Sequence, residues 1–261
     1  MDLSLKGKVA LVGGASQGIG YAIARLLAAE GARVAMVARR EEPLEAAAAR
    51  IAAETGSETR PIAADIRRAD DCARIVESAL GAFGRVDVLV NNDGAPPLGK
   101  LESFDDVAWS RAVEQNLMSV VRLARGVLPG MRERQWGRIV NIAALSVLQP
   151  VPQFGLSIAT WAGVIGYAKT LSIEVAGDGV TVHTICPGRI ETPRLGTVFG
   201  GGRPGAVDGD ALAEMTRQIP MQRLGSPDEI AGLVGFLASP WSGYMTGCVF
   251  HVDGGRRAGV L

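Results

Sequence analysis

Between Lys8 and Ala29 an apolar run, a glycine-rich turn and a helical pattern follow one another without a gap. No other stretch restricts the fold as much. Val9 to Val12 is short, continuous and apolar, the pattern of a strand buried on both faces, and Tyr21 to Ala29 reads as a helix. The link carries Gly13, Gly14, Gly18 and Gly20. Glycine lets the backbone turn tightly and approach a ligand, and the unpaired N–H groups of a helix start favour an anion. Gly14, Ser16, Gln17, Gly18, Ile19 and Gly20 are therefore expected to cradle a nucleotide diphosphate.

Composition narrows the partners. Lys plus Arg and Asp plus Glu balance at 27 each, so no broad basic surface suggests nucleic acid or an anionic membrane. Cys72, Cys186 and Cys248 are odd in number and lack metal-ligand spacing, which predicts neither a disulfide framework nor a metal site. No segment has the length and apolarity of a membrane span, and the first residues lack a signal-peptide pattern. A cytoplasmic location is the expectation.

Strands and helices alternate along the whole chain, without repeat or linker. Arg33–Ala38, Thr59–Ala64, Val86–Val90, Arg138–Ile142, Val180–Cys186 and Thr246–Val252 read as strands, separated by helical patterns such as 41–54, 70–83, 107–131 and 154–175. Parallel strands need crossover helices, so the alternation predicts one α/β domain over 1–261 with a doubly wound parallel sheet of about seven strands. The second strand runs into Arg39-Arg40, where such sheets meet the adenosine ribose. An acid there favours a free 2′-hydroxyl and an arginine a 2′-phosphate, so NADP(H) is expected over NAD(H), with Arg39 as the main contact and Arg40 beside it. Residues near 194–220, glycine-rich from Gly196 to Gly209, read as a lid.

Several segments, in order, resemble the short-chain dehydrogenase/reductase family. The glycine turn matches its Thr-Gly-x-x-x-Gly-x-Gly opening with Gly13 in the threonine position; Asp65-Ile66, Asn91-Asn92-Asp93-Gly94, Asn116, Pro187 to Thr192 and Asp253-Gly254-Gly255 match later motifs. The resemblance covers Lys8 to Gly255 and implies a Rossmann-type fold. It further implies adenine contacts at Asp65 and Ile66, and cofactor contacts at Asn92, Gly94, Pro187, Gly188, Ile190 and Thr192. Asp93 stands where relatives carry alanine; its carboxylate either points to solvent or meets a donor. Asn116 has two readings, a proton-relay water holder or a buried amide.

The catalytic positions depart from the family. Relatives carry a serine after the fifth strand and, about thirteen residues later, Tyr-x-x-x-Lys. Ala162 to Leu171 aligns without gaps to the segment that follows the lysine, which puts Trp161 at the lysine, Ser157 at the tyrosine and Ala144 at the serine. Tyr167 and Lys169 lie roughly 15 to 18 Å further along the helix and do not substitute. Ser157 is left as a weak proton donor, with Asn116 as its water partner. Ser146 is a candidate to orient a carbonyl; Gln149 and Gln153 are candidate hydrogen-bond donors; Trp161 either stacks on a flat ligand or simply packs. His183 and His251 read as structural, and Arg189, Arg194 and Arg203 as surface charges that also suit an anionic substrate.

The leading expectation is an NADP(H)-dependent oxidoreductase, similar to 3-oxoacyl-carrier-protein reductases, acting on a small carbonyl or activated double bond by a departed mechanism. Leu195, Val198 and Phe199 suggest a partly apolar substrate. A nucleotide-binding sensor or oligomer subunit without redox chemistry is the second reading, and a non-redox lyase or isomerase the third. Ala159, Ala162, Gly163 and Gly166 form a small-residue stripe; with the family's habit, it implies a homo-oligomer, a dimer or tetramer.

Overall fold

The computed structural model describes residues 2–199 and 209–259. Seven parallel strands form one sheet in the order β3-β2-β1-β4-β5-β6-β7. The strands are β1 (Val9–Val12), β2 (Arg33–Ala38), β3 (Thr59–Ala63), β4 (Val88–Asn92), β5 (Gly137–Ile142), β6 (Val180–Pro187) and β7 (Val249–Val252). The helices are α1 (Gly18–Ala29), α2 (Glu41–Thr55), α3 (Ala69–Phe83), α4 (Asp106–Val113), α5 (Ser119–Glu133), α6 (Gly155–Val175), α7 (Pro193–Phe199), α8 (Gly209–Arg217) and α9 (Pro227–Ala238).

The burial of β1 follows from its composition. Ala10 and Val12 face a core with Met36, Val90 and Val140 under α1, α2 and α9. Val9 and Leu11 face the opposite core with Val37, Leu89 and Ile139 under α3, α5 and α6. A strand covered on both sides has no polar face, which is why it reads as a continuous apolar run. β1 pairs with β2 on one edge and β4 on the other. Strand order reverses there, and the carboxyl ends of β1 and β4 flank the crevice where ligands of such sheets bind.

Three expectations need correction. The helix read over 107–131 is α4 and α5 separated by a π-helical turn at Glu114–Met118, with Asn116 inside it. The apolar pattern runs on through one wide turn, so periodicity does not reveal it. The segment read as irregular from Gly196 begins as helix, since α7 runs to Phe199. Positions 200–208, with Arg203, and the side chains of Val198 and Phe199 lie outside what is described. Arg189 on the loop after β6 donates to Met215 O at 2.7 Å and to Gln218 Oε1 at 2.9 Å, tying α8 to the sheet's carboxyl end.

Candidate functional site

A cleft of about 750 Å³ opens along the carboxyl ends of the strands. Gly14 has φ +59, and a Cβ there would stand 2.6 Å from both Asn92 Nδ2 and Asn92 O; one on Gly20 would stand 2.3 Å from Gly14 O. Only glycine fits either position. Asn92 Nδ2 donates to Gly13 O at 3.1 Å, stitching the end of β4 to the turn after β1. α1 begins at this turn, and Gln17 provides no side-chain cap, so its first N–H groups face the cleft mouth without an internal acceptor. Gly18 has φ +61 and faces Thr192 on the loop after β6. Ser16, Gln17, Gly18 and Ile19 line the cleft with Gly14; Gly20 does not, and its part is to let α1 pack against the turn.

One end of the cleft is cationic. Arg39 and Arg40, at the end of β2, are exposed and line it with Asp65, Ile66 and Arg67. Arg67 grips Asp65 with two nitrogens, Nε at 2.8 Å from Oδ1 and Nη2 at 2.5 Å from Oδ2. That hydrogen bonding holds the Asp65 carboxyl below its ordinary pKa. Arg67 was not singled out from sequence, although its place two residues after Asp65 in one tight turn was a usable signal. Asn92, Gly94, Pro187, Gly188, Ile190 and Thr192 all line the cleft.

Asp93 also lines it, half-buried. Of the two orientations left open, the donor is the one observed: Ser119 Oγ donates to Asp93 Oδ2 at 3.2 Å. Burial pushes the Asp93 carboxyl up to about 7, against the smaller opposing effect of that bond.

The other end is mostly apolar. Ala143, Ala144, Leu145, Val151, Phe154, Trp161 and Leu195 wall it, with Ser146 among them. Trp161 packs against Val120, Ala143, Val164 and Cys186 and is 8% exposed, so it belongs both to a small core and to the cleft wall. Ser146 is also 8% exposed, and its Oγ has no partner.

Four sequence candidates are not brought to the cleft. Ser157 is 1% exposed and absent from the lining; Thr160 Oγ1, one helical turn on, contacts its carbonyl oxygen. Asn116 is buried, and its Nδ2 donates to Thr160 Oγ1 at 2.8 Å. Ser157 and Asn116 thus sit behind the wall: positions 157 and 161 share one face of α6, and the short serine side chain stays sealed there while the larger Trp161 reaches the cleft. Gln149 is occupied elsewhere, its Oε1 accepting from Ala258 N at 3.1 Å, and Gln153 is exposed outside the lining. His183 is buried beside Phe250 and desolvation lowers its pKa to about 4, as suits a structural residue. Arg256, on the tail after β7, joins the lining and had not been anticipated. Among the described residues no group of three or more His, Cys, Asp or Glu is placed to hold a metal ion, and no helix is long and apolar enough to cross a membrane.

A doubly wound parallel sheet with a glycine cradle at its switch point defines a nucleotide-cleft α/β protein. Within that class the chain belongs to the short-chain dehydrogenase/reductase family: residues 14–257 match the family model described as enoyl-(acyl carrier protein) reductase. Among its relatives is the 3-oxoacyl-[acyl-carrier-protein] reductase FabG of Vibrio cholerae, 39% identical over 255 residues, covering 97% of this chain and 98% of that protein. L-Sorbose reductase from Gluconobacter frateurii, solved with NADPH and L-sorbose, superposes with a TM-score of 0.95 at 35% identity over 100% of both chains. Actinorhodin polyketide ketoreductase, solved as a tryptophan variant with NADPH, gives 0.90 at 37% identity, covering 95% of this chain and 97% of that one.

Proposed function

We propose that this chain is an NADP(H)-dependent reductase that acts on a carbonyl or activated double bond without the tyrosine and lysine usual in its family. The observation that carries the cofactor is the cationic end of the cleft, where Arg39 and Arg40 make no ion pair among the described residues while the nearby acid, Asp65, is bound to Arg67. The residues present fit the group. Gly14, Ser16, Gln17, Gly18 and Ile19 would hold the diphosphate and Arg39 the 2′-phosphate, with Arg40 adjacent. Ile66 and Asp65 would flank the adenine; Asn92, Gly94, Pro187, Gly188, Ile190 and Thr192 would hold the nicotinamide half. When bound, the reduced nicotinamide supplies a hydride.

The protein's own contribution at the apolar end is position and a hydrogen bond. Ser146 has the unpartnered hydroxyl on that wall, and it would donate to the substrate oxygen in the role that Ala144 no longer serves. Trp161, Phe154 and Val151 would hold a substrate body and exclude water. Among the described residues no phenol or ammonium lines the cleft, so the proton would come from solvent; a missing positioned acid lowers the rate by about 10² to 10⁴ without abolishing it. Ser157 is not assigned the proton, because it is shut behind the wall.

The same shut wall favours the second reading, nucleotide binding without redox chemistry, as in a sensor or oligomer subunit. The test is a titration with NADPH and NADH followed by NADPH oxidation across carbonyl, enone and acyl-thioester panels. Binding that prefers NADPH, together with turnover, is expected; binding without turnover on any panel would establish the second reading. A homo-oligomer is also proposed, supported by the open surface at Gly166 and the exposed Ile173 on α6, and a monomer at micromolar concentration would refute it.

A further inference from the structure

The charge of the cleft is far from the balance of the chain. Acids and bases cancel over the whole sequence, yet Arg39, Arg40, Arg67, Arg189, Arg194 and Arg256 line the cleft against only Asp65 and Asp93. Asp65 is taken by Arg67. The dinucleotide proposed above accounts for Arg39 and Arg40. With Arg189 engaged by Met215 O and Gln218 Oε1, that leaves Arg194 and Arg256, neither of which pairs with a carboxylate of the described residues.

Both stand on elements that frame the apolar end. Arg194 is in the first turn of α7, next to Leu195, and no acid offsets the desolvation that lowers its pKa. Arg256 sits in a turn held by Asp253, whose carbonyl accepts from Arg256 N at 3.3 Å, Oδ1 from Gly255 N at 3.0 Å and Oδ2 from Arg257 N at 2.7 Å. Ala258 N then reaches Gln149 Oε1, pinning the tail to the loop that carries Ser146 and Phe154. Arg256 also lies close enough to Arg189 to repel it. Cations gathered in a concave, partly apolar site raise the local concentration of anions and orient them. A guanidinium is suited to a carboxylate because it offers two parallel donors.

We propose that the substrate is a small acid with an apolar body, its carboxylate received by Arg256 and Arg194 and its body by Val151, Phe154 and Trp161. This deepens the reductase reading and rests on it for the reaction, but not for the binding. The same guanidinium chemistry would serve the dinucleotide's diphosphate, and Arg194 Nη1 does lie 3.8 Å from where a Cβ on Gly94 would be. The experiment must separate these sources.

The protein saturated with NADP⁺ is titrated calorimetrically with octanoate and 3-phenylpropanoate, and with the primary amide of each. The acids are expected to bind about tenfold tighter than the amides, and to lose that advantage as salt screens the arginines. Arg256→Ala and Arg194→Ala are expected to abolish the preference while amide binding and NADPH affinity stay within about twofold. Arg256→Lys should keep part of the preference, which separates charge from misfolding. Equal binding of acid and amide, or no binding of either acid, overturns the proposal. So does a preference that survives Arg194→Ala while NADPH affinity falls, which assigns that guanidinium to the diphosphate. Should the acids bind as expected while NADPH is oxidised on no carbonyl, enone or acyl-thioester panel, the reductase reading falls and the acid site stands.

Discussion

The two ends of the cleft are built on different principles. At the nucleotide end the contacts are made by backbone and glycine: Gly14 and Gly20 tolerate no Cβ, and Asn92 ties two strands to one turn. At the apolar end side chains make the wall, Ala144 and Trp161 among them, with Ser157 sealed behind it. A backbone cradle is fixed by close packing and changes only with loss of the fold. A side-chain wall accepts substitution provided its volume is filled, and Trp161 fills it by joining a core of Val120, Val164 and Cys186.

The sharpest way to break this comparison is at Gly20. Gly20→Val places carbon into the Gly13 and Gly14 carbonyls, so overpacking should cost about 1 to 3 kcal/mol or more and abolish NADPH binding, read by thermal unfolding and fluorescence titration. Arg39→Ala should leave the fold intact and lower NADPH affinity by about tenfold to a hundredfold with NADH affinity unchanged, as expected for a lost charge-assisted contact. Equal losses for both nucleotides would move the 2′-phosphate elsewhere.

At the other end, Ser146→Ala should lower kcat by about tenfold if its hydroxyl serves the substrate oxygen, whereas Ser157→Ala should change kcat by less than about twofold. A larger effect at Ser157 would show that the wall opens.

Asp93 lies between the two ends and gives a pH signature. Its folded pKa, about 7, lies above the ordinary carboxylate value, so between about pH 4 and 7 the folded state holds more protons than the unfolded state. Stability contributed by Asp93 therefore declines as pH rises through that window and is flat above it. Asp93→Asn should remove the decline and be more stable than the parent at pH 8, by at most about 4 kcal/mol, in denaturant melts across pH. Parallel pH profiles for the two proteins would show that the carboxylate is solvated.

Much of the fold was legible because apolar runs and glycine turns act locally. β1, its turn and α1 were readable within a few residues. The π turn at Asn116 was not, since a single wide turn does not interrupt the apolar pattern. Of the site, the nucleotide end was legible because its motifs are contiguous. The apolar end is assembled from β5, α6, α7 and the tail, and only their packing brings Arg256 to the cleft or gives Gln149 to Ala258.

The order of strands and helices along the chain and the glycine cradle were determined by the sequence alone, because each rests on residue type at a fixed spacing. The tertiary structure decided which of the remaining polar groups can act. Side-chain length on one face of α6 seals Ser157 while Trp161 reaches the cleft, Ser119 meets the half-buried Asp93, and the fold of the tail delivers a cation that no spacing announces. Direction and burial belong to neighbours distant in sequence, and they separate a hydroxyl that meets a ligand from one sealed in a wall.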